Sequence, residues 1–317
     1  AILTGADDGR VLWSERMTGS RTPDMAHGAG RRIVQEIAQR LGQPYGVIQA
    51  EEAAQHLGPK ETWSSYSCLL RTFDYWRTYG SQLHLSARAG TDAPARNDPG
   101  ARDALWALAY LRLDEYRLGY NVRPGSNPLA EADALARRAT ELQPANPRAF
   151  QALAAVRYVA RDKEGFRRAA DEALRLGPHD PDILADIGSS EIGMGQFESG
   201  NARLDEALRL NPVPPVWILA WRAAGALGVG AHEEALSLAR RFDAGEYVLG
   251  GLIQLAVADI EKDEQLARTA YEALRRTAPD VLADPAPFLH RQGPVGEAAD
   301  RLAQRVLDAS ARLKQAQ

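Results

Sequence analysis

The chain has 317 residues, of which 45% are hydrophobic and 25% charged, the ordinary mix of a globular protein with length for about two domains. Its net charge is −4, and its basic residues are 34 Arg and 4 Lys with no long run of one sign, which argues against a direct nucleic-acid-binding or polybasic membrane role. The lone cysteine, Cys68, excludes an internal disulfide and any multi-cysteine metal site, and the most apolar stretch, around 216–230, is broken by Arg222, so no membrane span is expected.

The N-terminal segment, as far as Met17, reads as a hairpin. Ala1-Ile2-Leu3-Thr4 and the run from Val11 to Met17 flank Asp7-Asp8-Gly9, a strong turn signal. A helix follows over about 23–41, where Ile33, Ile37 and Leu41 recur every four residues and Gly42 supplies the stop. A short apolar segment, Tyr45-Gly46-Val47-Ile48, comes next. Residues 1–60 therefore read as part of a small α/β domain. With no initiator Met and no signal peptide, the sequence is expected to be a piece of a longer protein.

From residue 61 to 317 the pattern is helix after helix, rich in alanine, and it repeats. Pro144, Pro178 and Pro212 recur at one constant interval, each preceded by a similar ending such as Glu172-Ala173-Leu174-Arg175-Leu176-Gly177. New units open on Asx-Pro steps: Asn127-Pro128, Asn146-Pro147, Asp180-Pro181 and Asn211-Pro212, with Asp98-Pro99 and Asp284-Pro285 using the same device. Such a step caps a helix, because the Asx side chain accepts from free backbone N–H groups and Pro loses nothing at the first helical place. The first clear unit, with helices over 102–118 and 128–142, carries a long insert, Gly119 to Ser126. Gly90 and Pro94 are expected to break the helix over 83–97. Later pairs are expected near 247–260 and 263–276, and a terminal helix over 295–313 should cap the open end.

The interval between those prolines is the helix–turn–helix period of the tetratricopeptide repeat, about 34 residues. The fold class expected is therefore mainly all-α, a tetratricopeptide-like solenoid with an N-terminal α/β remnant. The sequence also resembles the repeat region of bacterial signalling proteins in which a TolB-amino-terminal-like domain precedes such repeats. The phrases carrying this are Asp7-Asp8-Gly9-Arg10-Val11-Leu12-Trp13-Ser14, the segment from Pro44 to Glu52, and Leu111-Arg112-Leu113-Asp114-Glu115-Tyr116-Arg117. The resemblance implies an effector domain upstream, a winged-helix regulator or a nucleotide cyclase. It also allows an upstream membrane anchor, which leaves cytoplasm and periplasm both open.

Catalytic chemistry finds little footing. Gly28-Ala29-Gly30-Arg31-Arg32 opens no strand–turn–helix unit. The six histidines are scattered, without a pair at ligand spacing, and read as surface or interface residues. Cys68 reads as a buried small side chain. No catalytic residue, metal site or cofactor is assigned, and the protein is not expected to be an enzyme.

Function should reside in an interaction surface. The resemblance implies that the first helix of each unit lines a concave groove at its second, fifth, ninth and twelfth places. Those places fall on Asp103, Trp106 and Tyr110, then on Arg148, Gln151 and Tyr158, then on Asp182 and Ser189, with Trp217, Trp221 and Arg222 near the same face of the next unit. Trp, Tyr and Arg suit recognition of a peptide or protein partner. Two readings compete. One is a small-molecule receptor with a pocket near the 83–126 insert, Tyr120, Arg123 and Trp106 at its mouth; the other is self-association through the terminal helix.

Overall fold

The computed structural model describes residues 2–6, 8–14, 16, 37, 65–97, 103–211, 214–293 and 296–315, the side chains of 65–68, 93–97 and 103 excepted. At the N-terminus β1 (Ile2–Thr4) pairs antiparallel with β2 (Val11–Ser14), Leu3 opposite Trp13. Gly5 donates its N–H to the Arg10 carbonyl at 2.9 Å and Gly9 takes φ 67°, so the predicted hairpin is present. The expected helix over 23–41 and the segment 45–48 lie outside the described residues, Ile37 alone excepted.

Six antiparallel helix pairs follow. They are α1 (Ser65–Thr78) with α2 (Ser81–Asn97), α3 (Asp103–Leu118) with α4 (Pro128–Leu142), and α5 (Pro147–Val159) with α6 (Lys163–Leu176). Then come α7 (Pro181–Gly193) with α8 (Phe197–Leu210), α9 (Val216–Gly228) with α10 (His232–Ala239), and α11 (Val248–Ile260) with α12 (Glu264–Thr277). The first helices of successive pairs lie side by side, and the second helices form the outer layer. This is a tetratricopeptide-like helical solenoid. The short α13 (Pro279–Ala283) and α14 (Ala286–Arg291) lead into the long α15 (Gly296–Gln315).

Small side chains set the spacing. Ala132, Ala136 and Ala139 of α4 and Ala169, Ala170 and Ala173 of α6 are buried where larger residues would hold the layers apart. At the α7–α8 crossing even a methyl is too much: a Cβ on Gly188 would lie 2.9 Å from the Gly200 carbonyl oxygen.

The caps are local and mostly as expected. The side chains of Asn127, Asn146 and Asp180 accept from the first turns of α4, α5 and α7. Asn211 does not: it ends α8, its N–H on the Ala207 carbonyl, and α9 starts only at Val216. Pro215 stands extended at the N-cap position, with ψ 151°, and the helix begins only after it. Nor does Asp284 cap α14, whose N-cap position is Pro285 with no side-chain bond. Residues 98–99 lie outside the described residues. The expected break at Gly90 and Pro94 is absent, since α2 runs unbroken from Ser81 to Asn97. Pro94 falls in the last turn, so the bond it removes and the carbonyl of residue 90 that its ring crowds lie close to the helix end.

Four of the six turns within pairs share one geometry. Arg161, Gly195, Gly230 and Lys262 each stand two residues past the end of α5, α7, α9 or α11, with φ of 61°, 81°, 75° and 57°. The residue after each returns its N–H to the carbonyl five back: Asp162 to Arg157, Gln196 to Glu191, Ala231 to Ala226 and Asp263 to Ala258, all at 2.9 Å. This is the 6→1 bond of a Schellman motif, which asks for a left-handed residue before it. Glycine adopts that conformation freely, whereas Arg161 and Lys262 carry a Cβ penalty of about 1–2 kcal/mol.

The stack bends until its ends meet. Tyr79, just after α1, packs its ring 4.9 Å from that of Tyr247, just before α11. α14 folds back onto α3, where Gln292 Nε2 donates to the Arg117 carbonyl at 2.9 Å. α15 lies along α11 and buries Ala299, Ala303, Val306 and Leu313. The expected capping helix therefore covers the last pair, and the segment before it closes the concave side.

Replacing Lys262 with Gly should raise thermal stability by about 1 kcal/mol, and Gly195→Ala should lower it by a similar amount. Thermal melts of the two variants beside the wild type check both signs.

Candidate functional site

Helical phase decides which residues meet inside this closed turn. Arg148, Asp182 and Trp217 are the second residues of α5, α7 and α9, so they stand as a ladder along the concave face. Gln151 lies three residues past Arg148 and Asp186 four past Asp182, which puts each on the same face of its own helix. From α3 come Trp106, Tyr110 and Arg117. These residues line one chamber of about 50 Å³ together with Trp76, Tyr79, Trp221, Tyr247 and Gln292. That volume holds only a few water-sized groups.

The wall is part aromatic and part charged. Trp76 stacks on Trp106 at 6.2 Å and meets Tyr110 edge-on at 5.2 Å. Arg148 reaches Asp180 at 2.8 Å and Asp182 at 3.3 Å, and also donates to Gln151 Oε1 at 3.0 Å. Arg117 pairs with Asp114. Asp186 accepts from the Tyr110 hydroxyl and from Gln151 Nε2, the latter at 3.2 Å. Burial raises the pKa of Asp182 to about 7 against the pull of Arg148, and it raises Asp186 as well. Tyr110, Tyr158 and Tyr247 are pushed well up, first by burial.

Three polar atoms on this wall lack a hydrogen-bond partner among the described residues: Asp182 Oδ1, Trp217 Nε1 and the Tyr158 hydroxyl. The Tyr158 ring is held between two glycines, since a Cβ on Gly193 would fall 1.8 Å from its hydroxyl and one on Gly293 2.5 Å from its Cε1. An apolar groove of about 430 Å³ adjoins the chamber and shares Trp221 and Leu249 with it. Ile253, Ala256 and Leu302 line it further out, with Arg301 and Arg305 also on its wall.

The residues expected from the sequence divide clearly. Trp106, Tyr110, Arg148, Gln151, Tyr158 and Ser189 all line the chamber, as does Trp217. Asp103 opens α3, and its side chain lies outside the described ones. Arg222 does not face the chamber: it pairs with Asp205 of α8 at 2.7 Å and Glu234 of α10 at 2.8 Å. One residue beyond Trp221 is about 100° round the helix, enough to turn it toward the outer layer.

Tyr120 and Arg123 line neither cavity. The insert acts as a clamp on α2 instead. Asn121 Nδ2 donates to the Ser81 carbonyl at 2.9 Å and meets His84 Nδ1 at 3.1 Å, while Arg123 pairs with Glu131. His84 is buried at the interface of α2 with α3, where its Nε2 donates to the Leu111 carbonyl at 3.0 Å. Cys68 has its side chain outside the described ones.

Sequence reasoning missed Trp76, Tyr79, Arg117, Asp186, Tyr247 and Gln292. Asp186 was within reach, one helical turn from Asp182, and so was Arg117, two turns past Tyr110 on α3; the others arrive through contacts between distant parts of the chain.

The tract Leu111 to Arg117 positions the site from behind. Arg112, 1% exposed, bonds Glu115 at 2.5 Å, Asp92 of α2 at 2.7 Å and Glu131 of α4 at 3.3 Å. Arg88 of α2 also reaches Glu115, at 2.9 Å. On the opposite side Asp114 accepts from the Tyr75 hydroxyl of α1 at 3.1 Å. These charges fix the rotation of α3, and with it the aim of Trp106 and Tyr110.

No protein-family profile matches the chain, and no curated protein matches it. Among solved structures, the crystal structure of the yeast Tom70 is similar, with a TM-score of 0.45 and 12% identity over 92% of this chain and 63% of that one. This chain thus spans less than two thirds of that structure's length. A likeness of this size carries no functional argument; the assignment of a tetratricopeptide-like solenoid rests on the helix pairs and their shared turns.

Two outcomes are expected. Arg112→Met should cost about 3 kcal/mol, because buried Glu115 then keeps only Arg88 while Asp92 and Glu131 lose their shared guanidinium; chemical denaturation measures this. Native Asp182 keeps its proton up to about pH 7, whereas in the unfolded chain it is lost near the usual carboxylate value of 3.8. Wild-type stability should therefore rise relative to Asp182→Asn as pH falls from 8 to 5, a trend that melts of both proteins across that range will read.

Proposed function

We propose that this chain is the non-enzymatic sensing and interaction region of a bacterial signalling or transcription-regulatory protein. In this reading it follows a TolB-amino-terminal-like segment and passes the state of its repeats to an effector domain upstream. The resemblance of the hairpin phrase and of the Leu111–Arg117 tract to such proteins supports the setting. Support for a recognition role comes from one observation: helices of five consecutive pairs turn aromatic, Arg and Asp side chains into one chamber, and three buried polar atoms there have no partner among the described residues.

A peptide or protein partner would enter along the concave face by displacing the segment around Gln292. A small ligand is favoured by a specific feature, the closure of that face by α14 and by the contact of Tyr79 with Tyr247. Self-association is the remaining route, through the exposed side of α15.

Native mass spectrometry with light scattering on the purified chain tests the reading. The expected result is a bound mass that disappears in the double variant Trp106→Phe/Asp182→Asn. A bare chain that gains no mass from cell extract, or a dimer unaffected by that double variant, would overturn the chamber as the recognition site.

A further inference from the structure

The chamber wall shows what chemistry its occupant should carry. Asp182 Oδ1 can only accept while ionised, Trp217 Nε1–H can only donate, and the Tyr158 hydroxyl does either. The three side chains are 4%, 8% and 6% exposed, so bulk water does not meet these needs. Buried polar atoms are nearly always paired, and an unpaired set in one place points to a missing partner.

Charge narrows the choice. The chamber's guanidiniums are both engaged, Arg117 by Asp114, and Arg148 by Asp180 and Asp182. Asp186 forms no ion pair among the described residues and is held only by Tyr110 and Gln151. Once Asp182 has lost its proton, Asp114, Asp180, Asp182 and Asp186 share two guanidiniums, and Trp76, Trp106 and Tyr110 stand on the same chamber wall. An aromatic wall with surplus negative charge favours a cation. The donors of Trp217 and Tyr158 favour an anionic or carbonyl oxygen close to it. Beyond Trp221 and Leu249 the groove is apolar.

We propose that the chamber binds the head group of a free α-amino acid with an apolar side chain. The ammonium sits between Asp182 and Asp186, and the carboxylate takes the Trp217 N–H and the Tyr158 O–H. The side chain passes Trp221 and Leu249 toward the apolar groove. This rests on the reading of the chamber as the recognition site and goes further by naming the ligand class.

The test is a calorimetric titration of the full chain with a panel of L-α-amino acids, tryptophan fluorescence serving as a second readout from Trp217 and Trp221. Leucine, isoleucine or phenylalanine should bind at least tenfold more tightly than aspartate or lysine. N-acetylleucine, without the ammonium, and 3-methylbutylamine, without the carboxylate, should each lose at least tenfold. Asp182→Asn and Trp217→Phe change few atoms and should each weaken binding at least tenfold, with circular dichroism confirming that both fold. Should either variant unfold, Tyr158→Phe takes its place.

No response to any amino acid overturns the proposal, as does binding that survives all the chamber variants. If amino acids fail while the bound mass sought above is found and depends on Trp106 and Asp182, only the ligand class falls. If that mass is absent too, both readings fall.

Discussion

The contact of Tyr79 with Tyr247 is the constraint on which the rest of the structure depends. A helical-repeat stack is ordinarily a one-dimensional object in which each unit touches only its neighbours. Here a residue just past the first pair's opening helix rests against one that introduces the sixth pair. Once those ends meet, the concave face is the inside of a vessel. Side chains that would line an open groove now face one another across a narrow space, and Gln292 on the Arg117 carbonyl seals what is left. Close approach of the helices makes this curvature attainable, and alanine and glycine at the crossings make the close approach attainable.

Enclosure changes the electrostatics of the same residues. A carboxylate on an open groove keeps its hydration, whereas Asp182 and Asp186 have exchanged much of it for Arg148, Tyr110 and Gln151. Ionisation becomes harder, and each unmade hydrogen bond weighs more than it would in water. Behind the chamber charges are matched more closely: Arg112 finds a carboxylate on α2, on α4 and on its own helix. One face of α3 is thus an ionic lock to the neighbouring helices, while the other looks into the chamber.

What was legible in the sequence was what local interactions decide. The Asx-Pro caps at Asn146 and Asp180, the hairpin about Gly9 and the limits of α4 are fixed within a few residues of chain, and all appear as read. The inner face was legible as well, since the places that the repeat resemblance assigns to it fall on Arg148, Gln151, Tyr158 and Ser189, and all four line the chamber. Arg222 was misplaced because a Pro-rich step shifts the start of α9 and a single residue of error turns a side chain through about 100°. The partners brought by closure, Tyr79, Tyr247 and Gln292, lie far from the repeats they touch, and no periodicity encodes such meetings. The insert could be read as a patch on an irregular repeat or as the rim of a pocket; Asn121 on the Ser81 carbonyl and His84, on a helix well upstream in the chain, agrees with the patch.

The bond from Gln292 to Arg117 spans 175 residues of chain. Pairs of neighbouring helices are low in contact order and form early, while contacts of such separation come late. During synthesis the walls of the chamber therefore stand assembled and wet before the segment that shuts them has left the ribosome. An occupant bound at that stage would be enclosed as the chain is completed.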